Sequence, residues 1–144
     1  MADHCTWDDD YKQITQKIRA KLLELAHVSE KDYTVVLMQG SGSFGVESIL
    51  ISTVGEDDTL LIIANGAYGE RMADIAGHAK LNYLTYHVEY DQIPSADEVA
   101  HLLSQHPEIT HVAMVHSETT SGILNDIASV TNVVKSAEKT MIVD

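Results

Sequence analysis

Four short apolar runs, at residues 35–38, 60–64, 111–115 and 141–143, and one alternating stretch, at 81–88, punctuate this chain, and a stretch of helical character follows each of these except the run at 141–143. Uninterrupted runs of this length suit strands buried on both faces, and strands that alternate with helices build a parallel sheet. The helical stretches fall at 43–54, 71–79, 96–105 and 126–138, and a further amphipathic one at 14–25 carries Ile14, Ile18, Leu22 and Leu25. Val46, Ile49 and Leu50 are expected on the buried face of the helix at 43–54. Pro94-Ser95 with Asp97 and Glu98 caps the helix at 96–105, and Pro107 ends it. The expected fold is α/β, a mainly parallel sheet with helices on both faces. In such sheets ligands sit outside the carboxyl ends of the strands. The segments expected there are the turn after residue 38, the loop at 65–71 containing Tyr68, the loop at 116–122 containing Thr119, and Asp144.

The turn Gln39-Gly40-Ser41-Gly42-Ser43-Phe44-Gly45-Val46-Glu47 is rich in glycine and serine and leads into a helix. Free N–H groups, the helix dipole and nearby hydroxyls make it an anion site, best suited to phosphate. Gly40, Gly42 and Gly45 fit G-x-G-x-x-G, but a dinucleotide site also needs an acidic residue closing the second strand, where Asn65 stands instead. A P-loop needs Gly-Lys-Ser/Thr, and Gly45 is followed by Val46 and Glu47. A coenzyme phosphate such as that of pyridoxal phosphate asks only for the helix N-terminus and hydroxyls.

The 144 residues are one domain's worth of chain, and 44% hydrophobic content suffices for a core. The net charge of -13 argues against nucleic acid and anionic membranes as partners. A single cysteine, Cys5, leaves no internal disulfide and suits a reducing cytoplasm. The eight histidines are too scattered to suggest a metal site.

Four segments, residues 39–47, 65–72, 116–124 and 142–144, resemble in order and spacing the signatures of class V pyridoxal-phosphate aminotransferases. Cys5-Thr6-Trp7-Asp8-Asp9-Asp10-Tyr11, Asn65-Gly66-Ala67-Tyr68-Gly69-Glu70-Arg71-Met72 and Met114-Val115-His116-Ser117-Glu118-Thr119-Thr120 resemble the subfamily that acts on 2-aminoethylphosphonate and pyruvate. The resemblance implies the large domain of a fold type I enzyme, with pyridoxal 5′-phosphate as cofactor and a homodimeric state. It assigns Ser41, Gly42 and Ser43 to the coenzyme phosphate, Tyr68 to one face of the pyridine ring and Thr119 to the phenolic oxygen. It gives Asp144 the pyridine nitrogen, and Glu118 a structural part. An ionised carboxylate at that nitrogen keeps the ring an electron sink.

Transamination also needs a Schiff-base lysine, and none of Lys12, Lys17, Lys21, Lys31, Lys80, Lys135 or Lys139 falls in a loop at a strand's carboxyl end. In the family that lysine follows the pyridine-binding aspartate. The expectation is therefore that residues 1–144 are a partial large domain, truncated at both ends, with the Schiff-base lysine and the C-terminal small domain outside it. Such a fragment would be inactive alone. Two alternatives stay open: an alanine–glyoxylate or serine–pyruvate type aminotransferase, and a dinucleotide-binding oxidoreductase built on Gly40, Gly42 and Gly45.

Overall fold

The computed structural model describes residues 5–144. The chain divides into two compact units, Met1–Gly40 and Ser41–Asp144. In the first, helix α1 (Asp9–Leu25) carries no buried residue, and Arg19 donates to the Thr34 hydroxyl at 2.8 Å.

The second unit holds helices α2 (Gly42–Thr53), α3 (Ala67–His78), α4 (Ala96–Gln105) and α5 (Ile127–Ser136). Among them lie strands β1 (Thr59–Ala64), β2 (Tyr83–His87), β3 (Ile109–Met114), β4 (Ser117–Glu118), β5 (Ile123–Leu124) and β6 (Thr140–Val143). Four strands form a parallel sheet in the order β2-β1-β3-β6, and β4 and β5 form a small antiparallel hairpin. Alternation along β1 divides the core. Leu60 and Ile62 face a layer containing Leu50 of α2, Val54 just after it, and Met72 and Ala76 of α3. Leu61 and Ile63 face Val99, Leu103, Val130 and Val134 from α4 and α5. Helices thus cover both faces, as the pattern of runs implies. These four β1 side chains are 0–1% exposed, and burying each contributes about 2 kcal/mol.

Local chemistry sets the helix starts. Ser41, Ser95 and Asp126 are the N-caps of α2, α4 and α5, accepting from the N–H groups of Phe44, Glu98 and Ser129. Among the described residues no helix is long and apolar enough to cross a membrane.

Three expectations change. Residues 35–38 are not a strand: no described strand pairs with them, and Val36 is 73% exposed. An apolar run records hydrophobicity, and a strand also needs a neighbouring backbone to bond. Helix α3 begins at Ala67, so Tyr68 stands in its first turn instead of in a loop. Ile49 on α2 is exposed, and the buried face of that helix is carried by Leu50, with Val46 partly buried.

Candidate functional site

Because the four strands run parallel, the residues that follow β1, β3 and β6 emerge at one edge of the sheet. Asp144 is fixed there by the continuing ladder: its N–H donates to the Met114 carbonyl at 3.1 Å, and its own carbonyl accepts from His116 at 2.7 Å. The N-terminus of α2 lies at the same place. A cavity of about 200 Å³ is bordered by Gly42 and Ser43 of α2, by Tyr68, Arg71 and Met72 of α3, and by Asp144. A second, more open cavity of about 510 Å³ is bordered by Tyr68, His116, Thr119 and Asp144. Tyr68 and Asp144 border both.

The α2 end is equipped for an anion. Ser41 accepts from Phe44 N–H at 3.3 Å, and the Gly45 N–H is taken by the Ser41 carbonyl at 3.1 Å. No described group accepts from the N–H of Gly42 or Ser43, the two first-turn donors that a helix leaves without intrahelical partners. A Cβ built on Gly42 meets nothing within 4 Å, so the glycine leaves free room at the wall of the cavity. Arg71 donates to the Ser43 hydroxyl at 2.9 Å, and its guanidinium stands 6.0 Å from the centroid of the Tyr68 ring. That spacing follows from the earlier start of α3, which puts Tyr68 and Arg71 three residues apart on one helical face. A cation in an acidic chain is thereby directed at the anion end.

The structure brings Gly42, Ser43, Tyr68 and Asp144 to one cavity, and Thr119 to the neighbouring one. Ser41 borders neither, its hydroxyl being engaged as the cap. Arg71 was not singled out by sequence, although it and Arg19 are the chain's sole arginines and only Arg71 falls in a motif. Asn65 and Asn125 were also missed. They are 2% and 3% exposed and form a reciprocal amide pair, with Asn65 Nδ2 donating to Asn125 Oδ1 at 2.8 Å and Asn125 Nδ2 to Asn65 Oδ1 at 3.0 Å. Asn125 Nδ2 also donates to the Val115 carbonyl at 2.8 Å, so the pair ties the ends of β1 and β3 to the hairpin that carries Thr119. The dinucleotide alternative loses its frame, since among the described residues no strand precedes the G-x-G-x-x-G turn, and β1 runs out into Asn65.

The sequence pattern of the family Aminotransferase class-V matches residues 4–144. A 2-aminoethylphosphonate–pyruvate transaminase of Lysinibacillus sphaericus is 59% identical over all of this chain, which spans 39% of that protein's length. A bifunctional phosphonoacetaldehyde hydrolase/aminoethylphosphonate transaminase of Clostridioides difficile is 43% identical over all of the chain and 23% of its own length. Among solved structures, pyridoxamine-pyruvate aminotransferase from Mesorhizobium loti superposes with a TM-score of 0.90 at 27% identity, over 99% of this chain and 36% of that one. The chain therefore spans well under half the length of the relatives it matches.

Proposed function

The chain belongs to the class V aminotransferase family, whose coenzyme is pyridoxal 5′-phosphate, and on that premise we propose that it forms the coenzyme-binding part of an enzyme transferring the amino group of 2-aminoethylphosphonate to pyruvate, giving phosphonoacetaldehyde and alanine. The observation that carries this reading is the convergence of the α2 N-terminus, Tyr68 and Asp144 on one cavity. The residues fit the coenzyme: two unclaimed N–H groups, a hydroxyl and a guanidinium suit a phosphate, an aromatic ring suits a pyridine face, and a carboxylate suits a ring nitrogen.

In this reading the N–H groups of Gly42 and Ser43 and the Ser43 hydroxyl hold the phosphate, and Arg71 adds the balancing positive charge. Ser41 acts through the helix it caps. Tyr68 covers one ring face, and offset stacking of that kind contributes about 1 kcal/mol beyond area burial. The Thr119 hydroxyl bonds the phenolic oxygen, and Asp144 holds a proton at the pyridine nitrogen. When bound, the coenzyme supplies the electron-accepting ring that allows a substrate Cα–H bond to break. The lysine that carries the coenzyme is none of Lys80, Lys135 and Lys139, which lie at helix ends that lead into the amino ends of strands. It is supplied from outside this chain, in a protein of the relatives' length that works as a cytoplasmic homodimer.

The test is an assay of that full-length protein, with alanine formation from 2-aminoethylphosphonate and pyruvate measured against transfer from alanine to glyoxylate and from serine to pyruvate. The reading predicts that the phosphonate reaction has the highest kcat/KM. A higher value for alanine or serine would overturn the substrate assignment and leave the coenzyme site standing.

A further inference from the structure

Glu118 on β4 is 0% exposed, and its carboxylate gathers donors from two segments 50 residues apart. Oε2 accepts from the N–H groups of Tyr68 at 3.2 Å and Gly69 at 3.3 Å, both in the first turn of α3. Oε1 accepts from the Thr120 hydroxyl at 2.6 Å and the Thr120 N–H at 3.4 Å. The Thr120 hydroxyl in turn accepts from the Ala67 N–H at 3.2 Å, so the first three N–H groups of α3 all end on this one cluster. A buried carboxylate is expensive unless donors surround it, and helix N-terminal N–H groups are the donors whose dipole favours it most. Gly66 shows how closely the two segments are joined, since a Cβ there would overlap Glu118 Cγ. The segment on one side presents Tyr68 and that on the other presents Thr119, and both side chains border the same cavity.

We propose that Glu118 is a positioning residue of the coenzyme site, clamping the first turn of α3 to the β4–β5 hairpin so that the Tyr68 ring and the Thr119 hydroxyl are held in fixed mutual placement before the coenzyme arrives. A buried carboxylate kept only for stability would have no need to act on coenzyme affinity through Tyr68. The inference rests on the reading of Tyr68 and Thr119 as coenzyme contacts given above. Preorganisation of this kind strengthens binding by removing the ordering cost from the binding step.

The experiment titrates pyridoxal 5′-phosphate into full-length protein freed of coenzyme, following protein fluorescence and the visible circular dichroism of the bound coenzyme. Glu118→Gln keeps the shape and loses one acceptor, and is expected to weaken binding about tenfold and to reduce the dichroism. In a Tyr68→Ala background the same substitution is expected to cost clearly less, about threefold, because one of the two groups whose mutual placement it fixes is gone. Thr120→Val is expected to weaken binding about threefold, and Thr120→Ser, which keeps the hydroxyl, to restore it. If Glu118→Gln does not fold, the Thr120 pair decides by itself, and equal affinity in Thr120→Val and Thr120→Ser overturns the proposal. It is also overturned if Glu118→Gln costs the same factor with and without Tyr68. Unchanged affinity in Tyr68→Ala alone would overturn the site reading and the inference together. A loss there with none in the Glu118 and Thr120 variants would overturn the inference only.

Discussion

Replacing Asn125 with leucine removes a side chain that makes three hydrogen bonds inside the protein, without opening a cavity. Asn125 donates to Asn65 Oδ1 at 3.0 Å and to the Val115 carbonyl at 2.8 Å, and accepts from Asn65 Nδ2 at 2.8 Å. Asn65 Nδ2 keeps a second acceptor, the Gln92 carbonyl at 3.0 Å, so its loss is partial. Asn65 Oδ1 and the Val115 carbonyl have no other donor among the described residues, and Asn65 and Val115 are 2% and 4% exposed. Each orphaned acceptor costs roughly 1–3 kcal/mol, and the buried leucine returns part of that, so a net loss of about 3 kcal/mol is expected. Equilibrium urea unfolding of wild type and variant measures it, with the slope checked for constancy so that the midpoint shift reports stability. A loss below about 1 kcal/mol would refute the claim that this amide pair holds the end of β1 to the Thr119 hairpin.

Gly42→Ala separates coenzyme binding from folding: with nothing near the added methyl, the apo protein should gain up to about 1 kcal/mol of stability while pyridoxal 5′-phosphate binds at least about tenfold more weakly, read by thermal unfolding and titration respectively. Asp144→Asn should leave the coenzyme bound and lower kcat at least about a hundredfold, read from steady-state kinetics beside the bound-coenzyme spectrum. The Ser129 hydroxyl at 2.6 Å, then the Ser129 N–H at 3.1 Å, hold the Asp126 carboxyl below the usual carboxylate range at the start of α5. With the folded value below the unfolded one, this cap stabilises fully above the ordinary carboxylate range, and the contribution disappears as pH falls through the folded value. Asp126→Ala should therefore lower the melting temperature at neutral pH and converge with wild type in strong acid.

Strands β1 and β3 were legible because Leu60–Ala64 and Val112–Val115 are apolar runs buried in the sheet, and outer strand β6 was legible from Met141–Val143, of which Ile142 alone is buried. The run at 35–38 reads identically, and nothing in its own residues reveals that it lacks a partner. Similarly, α4 starts where Ser95 caps it and was placed correctly, since that signal is local. The start of α3 was missed because Gly66 has no capping side chain, and the N–H groups of Tyr68 and Gly69 are satisfied by Glu118 from far along the chain. No window of sequence contains that pairing. Strands β4 and β5 are two residues each, too short for periodicity, and the one trace of their turn is Gly122, with φ of 77°. In the candidate site, the glycine and serine composition pointed to the α2 N-terminus, where no described group accepts from the Gly42 and Ser43 N–H groups. The part of Arg71 depended on α3 starting one turn earlier than its apolar pattern suggests.

The coenzyme site is tested most directly by a crystal structure of the full-length protein with pyridoxal 5′-phosphate bound. Phosphate oxygens are expected about 3 Å from the N–H groups of Gly42 and Ser43, the pyridine ring against Tyr68, and its nitrogen facing the Asp144 carboxylate. A coenzyme whose phosphate lies away from the α2 N-terminus, or whose nitrogen faces a group other than Asp144, would contradict that placement.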